Sequence, residues 1–258
     1  MSGTLFATVK EELQSVHQMI KEQLTIKAGH LGNYAHLEFA PPDPVIRPAL
    51  VILVARFYRC FSPRVLSLGA IIQFIFMASQ IHSRIPEGPE PGIEPQDPRD
   101  GTQFPVLVGD YLYGKFFTSL CDANLVTYLR PLTEIIALIH EGGILHKRNL
   151  LAITENPELF NEIVRLENAE LMAGAAKLAA DLAGASQWEQ ACLQDFGLAL
   201  GMVYGLTRRG IYDQRVIKYS ETALKALEKL PERPEKALLE KLLRVSGSAD
   251  QSSIRMVV

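Results

Sequence analysis

Residues 66–82 read Leu-Ser-Leu-Gly-Ala-Ile-Ile-Gln-Phe-Ile-Phe-Met-Ala-Ser-Gln-Ile-His, with no Asp, Glu, Lys or Arg among them. A helix made of this sequence has no polar face to offer water, so other elements must surround it. It contains two glutamines and falls short of the ~20 residues that cross a bilayer. The stretch reads as a buried core helix, and the elements on either side of it share its helical periodicity.

Leu5, Val9, Leu13, Val16, Ile20 and Leu24 recur every three or four positions, which predicts an amphipathic helix over 4–28 closed by Gly29-His-Leu-Gly32. After the turn Ala40-Pro-Pro-Asp-Pro44, a second apolar helix is expected from Arg47 to Phe61, with Pro48 in its first turn. Ser62-Pro63 restarts the chain into residues 66–82. Residues 85–101 hold five prolines and three glycines, a composition for a surface loop. Further helices are expected from Phe104 to about Cys121, from a cap at Asp122-Ala-Asn124 to Glu141, with an ending or a bend at Gly142-Gly143 and a short extension from Ile144 to Leu151, and from Asn156-Pro157 to Gly184. Trp188–Gly205, Asp213–Leu230 and Pro234–Leu243 complete the set, and the tail after Ser246 is expected to fray. No segment alternates as a strand does. The expectation is an all-α chain of about ten helices, one domain over 1–258, arranged as a bundle around a central cavity.

Composition removes several function classes. A net charge of −3 leaves no basic excess to neutralise nucleic-acid phosphates. Cys60, Cys121 and Cys192 are widely separated and carry no zinc or disulfide spacing. Gly-x-Gly-x-x-Gly and P-loop patterns are absent, no signal-peptide pattern opens the chain, and a cytoplasmic location without a transmembrane segment is expected.

Several landmarks occur in a fixed order. They are Arg47-Pro-Ala-Leu-Val-Ile-Leu, Ala78-Ser79 with Ile81-His82, Val106-Leu-Val-Gly-Asp-Tyr-Leu112, Glu141-Gly-Gly-Ile-Leu, Phe196-Gly-Leu-Ala-Leu-Gly201, and Ala223-Leu through Leu230-Pro231. Together they resemble the trans-prenyl diphosphate synthases, the polyprenyl synthetase family, over about residues 47–243. The resemblance implies a helical prenyltransferase of isoprenoid biosynthesis. Active members hold magnesium on two aspartate-rich motifs, because a hard cation needs oxygen ligands to neutralise the leaving diphosphate.

This chain departs from that pattern at most of its chemical positions. Ser83 and Arg84 stand where the first motif has its leading aspartates, and Glu87 where it has its last. Arg208, Arg209 and Tyr212 stand in the second motif. Against the family's co-substrate residues, Pro44 replaces a lysine, Phe76 a histidine, Glu90-Pro-Gly92 an Arg-Arg-Gly and Glu167-Asn168 a Lys-Thr, while Arg47 is kept. The resemblance therefore implies no catalytic residue and no metal ligand here, although active relatives use magnesium. Arg47, Arg84, Arg208 and Arg209 remain as substrate contacts, and Phe74, Phe76 and Tyr111 as cavity lining or plain core.

Other residues have two readings. Arg208 and Arg209 either grip a diphosphate directly or pair with Glu87 or with acids of a partner. His82, His140 and His146 have no metal spacing and read as surface or satisfied core histidines. Asp110 reads as a buried acid with a hydrogen-bonding partner. The favoured expectation is a non-catalytic subunit, in a homodimer or a heterodimer with a catalytic prenyl synthase. The alternatives are a divergent enzyme that uses Arg208 and Arg209 in place of magnesium, and a binding protein for an isoprenoid or prenyl diphosphate.

Overall fold

The computed structural model describes residues 3–85 and 97–248. Helices dominate, as the periodicity predicts. The first amphipathic stretch divides into α1 (Gly3–Thr8) and α2 (Lys10–Gln23). It stops short of residue 28 because residues 25–30 turn back as an antiparallel ribbon, β1 (Thr25–Ile26) paired with β2 (Gly29–His30). Gly29 takes φ +113° in that turn, a conformation that suits glycine. The ribbon is too short for a sequence alternation to reveal it.

The second helix, α3, spans Ile46–Phe57 and ends before the expected Phe61. Arg59 adopts φ +56° there, and the Cys60 amide folds back onto the Ala55 carbonyl. α4 covers Pro63–Ser83, with the Ser62 side chain accepting from the Arg64 amide and Pro63 in the first turn. It is buried almost all round and packs against α2, α3, α5 (Gln103–Asp122) and α8 (Glu170–Leu182). α4 is also the one helix among the described residues long and apolar enough to cross a membrane, but most of it is buried in the bundle.

Two boundaries differ from the sequence reading. Asn124, expected as an N-cap, sits at φ +54° and closes the end of α5. α6 (Leu129–Arg148) begins later, after a short 3-10 turn over Val126–Tyr128. It also runs unbroken through Gly142-Gly143. Gly142 is needed for close approach rather than bending, since a Cβ there would lie 2.7 Å from Cβ of Leu166.

The helix opened by Asn156-Pro157 begins as expected, with the Asn156 side chain accepting from the amides of Glu158 and Leu159. It runs as α7 (Pro157–Val164), one π-helical turn (Arg165–Ala169) and α8 (Glu170–Leu182). α9 (Gln187–Thr207) starts from a capping box between Ser186 and Glu189. α10 (Gln214–Glu228) is capped by Asp213, and α11 is Lys236–Gly247. The small-residue stripe of α8 serves close packing. A Cβ on Gly197 of α9 would come within 2.5 Å of the Met172 carbonyl oxygen, and one on Gly201 within 2.5 Å of Ala169 Cα.

Candidate functional site

The last turn of α4, one face of α6, the π-helical turn and the end of α9 enclose a cavity of about 520 Å³. On α6, spacings of three and four turn His140, Gly143 and Lys147 the same way, and all three line the cavity. Lys147 Nζ donates to the Ile85 carbonyl at 3.0 Å. Glu167, on the π-helical turn, accepts from Arg209 Nη2 and lies 3.1 Å from His146 Nδ1. The π-helical turn adds a residue to the α7–α8 helix at the point where Glu167 meets its partners.

His82 and His140 approach each other across the cavity, with ring centroids 6.0 Å apart. His140 Nε2 lies 2.7 Å from the Tyr113 hydroxyl, which lies 2.9 Å from Ser79 Oγ. Ser79 gives its only proton to the Ile75 carbonyl at 2.8 Å. The network therefore assigns the rest: Tyr113 donates to Ser79, and His140 Nε2–H donates to the Tyr113 oxygen. Burial, and secondarily the nearby His82, hold the His140 pKa below the ordinary histidine range. Burial likewise raises the Tyr113 pKa.

A second polar cluster lies in the protein interior. Arg47 is 1% exposed, its guanidinium carbon 3.5 Å from the centroid of Phe76 and its Nη1 3.6 Å from Asp43 Oδ1. Asp43 also accepts from the Tyr204 hydroxyl and, at 3.1 Å, from Arg208 Nη2. Burial is the main cause of the raised Tyr204 pKa, and the Asp43 charge adds to it. Gln73 Nε2 donates to the Asp43 carbonyl at 3.2 Å, while Gln73 Oε1 and Arg47 Nε have no protein partner.

The structure separates the residues that the sequence grouped. Arg209 and Ser83 line the cavity, whereas Arg208 turns to Asp43. Arg47 is sealed under Phe76 and presents no free face to a substrate. Arg84 donates to the His36 carbonyl at 3.3 Å and lies over Phe39, outside the large cavity. Tyr212 is half-exposed beyond the end of α9. Phe74 and Phe76 are core residues, and Tyr111 donates to the Gln23 carbonyl; none of the three lines the large cavity. Ser79 and His82, beside them on the same helix, take that place. Asp110 is mostly exposed rather than buried, 3.4 Å from His82 Nε2. Glu87 and Glu90-Pro-Gly92 lie outside the described residues. Arg208 and Arg209 do pair with acids, but these are Asp43 and Glu167 of this chain. The three histidines, read individually as unremarkable, share one cavity. The 3-4-spaced His140, Gly143 and Lys147 gave a sequence signal for one wall. No local signal brings α4, the π-helical turn and α9 to it.

A family model described as polyprenyl synthetase matches residues 97–207. The octaprenyl diphosphate synthase of Escherichia coli (strain K12) is 25% identical over 76% of this chain and 61% of its own length. Heptaprenyl diphosphate synthase component 2 of Geobacillus stearothermophilus is 23% identical over 79% of this chain and 64% of its own. The chain is similar to the polyprenyl synthetase family over residues 97–207. It spans about three-fifths of the length of these curated relatives. The fold agrees: a decaprenyl diphosphate synthase from Rhodobacter capsulatus superposes with a TM-score of 0.79, at 20% identity, over 96% of this chain and 99% of that one.

The magnesium that the polyprenyl synthetase resemblance implies needs a hard, oxygen-rich donor set. The described residues that the resemblance places at the two motifs do not fit one. Ser83, Arg84, Arg208, Arg209 and Tyr212 offer two hydroxyls and three guanidinium groups, and the carboxylates of Asp43, Glu167 and Asp213 are engaged by Arg208, Arg209 and Arg215. Elsewhere, ligand atoms of His36, Asp97 and Asp100 come within 4.8 Å of one another. There Asp97 is forked by Arg99, which holds its pKa down at about 2, and Asp100 bonds His36. Arg84 and Arg99 border the same surface hollow, so this group is not an acid-rich cage either.

Proposed function

We propose that this chain is a non-catalytic subunit of a prenyl diphosphate synthase, assembling with a catalytic chain that supplies the metal-bound diphosphate chemistry. The observation that carries the reading is the fate of Arg208 and Arg209. Guanidinium groups stand where carboxylates would have to hold magnesium, and each is neutralised by an acid of its own chain. A cation brought among them would meet like charge at a few ångströms.

The surface of α5 supports assembly. Its exposed positions include Phe104, Val106, Leu107, Gly114, Phe117 and Cys121, with Asp110 as the charge in the middle of that face. A helix face of this length with so little charge is the composition of an interface core. The Geobacillus relative is itself described as a component of a heptaprenyl diphosphate synthase, which is consistent with a role as one component among others.

Purified alone with isopentenyl diphosphate, an allylic diphosphate and magnesium, the chain is expected to form no prenyl product. Co-expressed with an aspartate-motif synthase from the same cell, it is expected to co-purify and to change the yield or chain length of the product. Robust magnesium-dependent turnover by the isolated chain overturns the reading.

A further inference from the structure

We infer that the turn between α6 and α7 is a lipid-docking tip, whose Leu150 and Leu151 insert into a bilayer surface with Ile144 beside them. The inference does not depend on whether the chain is catalytic.

Leu151 is 89% exposed, the most open large apolar side chain among the described residues, and Leu150 and Ile144 are 63% and 60% exposed. A single apolar side chain in water needs no explanation, but a group of them marks an interaction site. These three form such a group: Ile144 and Leu150 share one wall of the cavity, and Leu151 follows directly.

The backbone of the turn holds them out. α6 ends at Arg148, where the Asn149 amide bonds the His146 carbonyl at 3.1 Å and the Asn149 side chain donates to the Leu145 carbonyl at 2.8 Å. Beyond the leucines, the Ile153 amide closes onto the Asn149 carbonyl at 3.0 Å, within a 3-10 turn over Ala152–Thr154. The Asn156 amide then bonds the Ala152 carbonyl at 3.0 Å, and Asn156 caps α7. Folding the leucines back onto the core would break these bonds.

Area and charge favour a lipid surface over a folded protein. Three side chains fall far short of the ~800 Å² that each partner of a stable protein interface buries. Arg148, Glu155 and Glu158 are exposed in the same segment, and charge so close to an apolar tip is the composition of an interface rim, not of its core. A bilayer asks for less, since an apolar tip can reach the acyl boundary while its polar flanks stay among the headgroups. Lys147 and Arg148 before the tip are matched in number by Glu155 and Glu158 after it. That leaves no basic excess for anionic lipid to attract, so apolar area alone drives insertion. Because Ile144 and Leu150 also line the cavity, docking turns its mouth toward the lipid.

The test mixes the purified full chain with phosphatidylcholine vesicles and separates bound from free chain by flotation. Attachment through so small an apolar area is reversible. The chain is expected to float, and the bound fraction to stay within about twofold when phosphatidylglycerol is added or salt is raised. Leu150→Ser/Leu151→Ser is expected to lower the bound fraction by about tenfold, with an unchanged thermal melt because both side chains are exposed. Leu107→Arg/Phe117→Arg, which charges the apolar face of α5, is expected to float as the unmodified chain does. Trp188 is the single tryptophan, so Leu151→Trp in a Trp188→Phe background gives a second readout. Its emission is expected to shift to the blue on vesicles and to be quenched by brominated phosphatidylcholine. No flotation, a requirement for phosphatidylglycerol, loss of binding in high salt, equal flotation of the leucine variant, loss of flotation in the α5 variant, or an unquenched indole each overturns the inference. A leucine variant that still floats but no longer co-purifies with a catalytic synthase also overturns it, and makes the tip a protein contact.

Discussion

Asp43 shows how a single carboxylate can fix the role of several distant residues. It receives Arg208, Tyr204 and the flank of Arg47, and its backbone carbonyl receives Gln73. Removing it strands a guanidinium that is 1% exposed. Asp43→Ala is expected to lower unfolding free energy by about 3–5 kcal/mol, the usual result of breaking a buried pair from one side. Arg208→Ala should lower it less, because that side chain is partly solvated. Urea titration of the two variants checks the order. His140 gives a pH prediction of definite sign. Its folded pKa is depressed, so the unfolded chain takes its proton first as pH falls. The stability this contributes is complete above about pH 6.5, the ordinary histidine value, and is lost as pH drops through the lower folded value. Denaturation midpoints between pH 7 and 5 should therefore fall less steeply in His140→Gln than in the unmodified chain.

At the scale of helices, tight seams and open faces predict opposite responses to the same substitution. Gly197 sits where α9 crosses α8, and an added methyl would meet the Met172 carbonyl, Ala176 Cβ and Ala173 Cα at 2.5, 2.9 and 3.0 Å. Gly197→Ala is expected to cost about 1–3 kcal/mol through overpacking. Gly114, on the outer face of α5, has nothing within 4 Å of its added Cβ. Gly114→Ala should stabilise the isolated chain by up to about 1 kcal/mol, the helix-propensity difference. Thermal melts of the pair separate the two effects. The caps at Ser62, Asn156, Ser186 and Asp213 mark helix starts that side-chain chemistry makes visible in sequence. Gly142-Gly143 misleads, because glycine signals a bend as readily as it signals a close neighbour, and only Leu166 across the gap decides between them.

For the whole molecule, the apolar outer face of α5 bears on assembly more than on folding. Leu107→Arg and Phe117→Arg replace exposed side chains, so each is expected to leave the unfolding free energy within about 0.5 kcal/mol. Both should abolish co-purification with a catalytic synthase if that face is the contact. Co-purification that survives the double variant would place the contact elsewhere. On α5, Tyr113 bonds His140 and Asp110 lies 3.4 Å from His82, while Leu107 and Phe117 are exposed.

The sequence alone determined the helical class, the buried status of residues 66–82, most helix starts, and the lack of a carboxylate at Ser83, Arg84, Arg208 and Arg209. All of these follow from local periodicity, caps and residue identity. Tertiary structure decided which acids meet the arginines, that Phe76 covers Arg47 instead of lining a tunnel, and that three histidines from two helices face one cavity. Those outcomes depend on how α4, α6, the π-helical turn and α9 cross, and a crossing is set by packing between residues far apart in the chain, where local pattern carries no information.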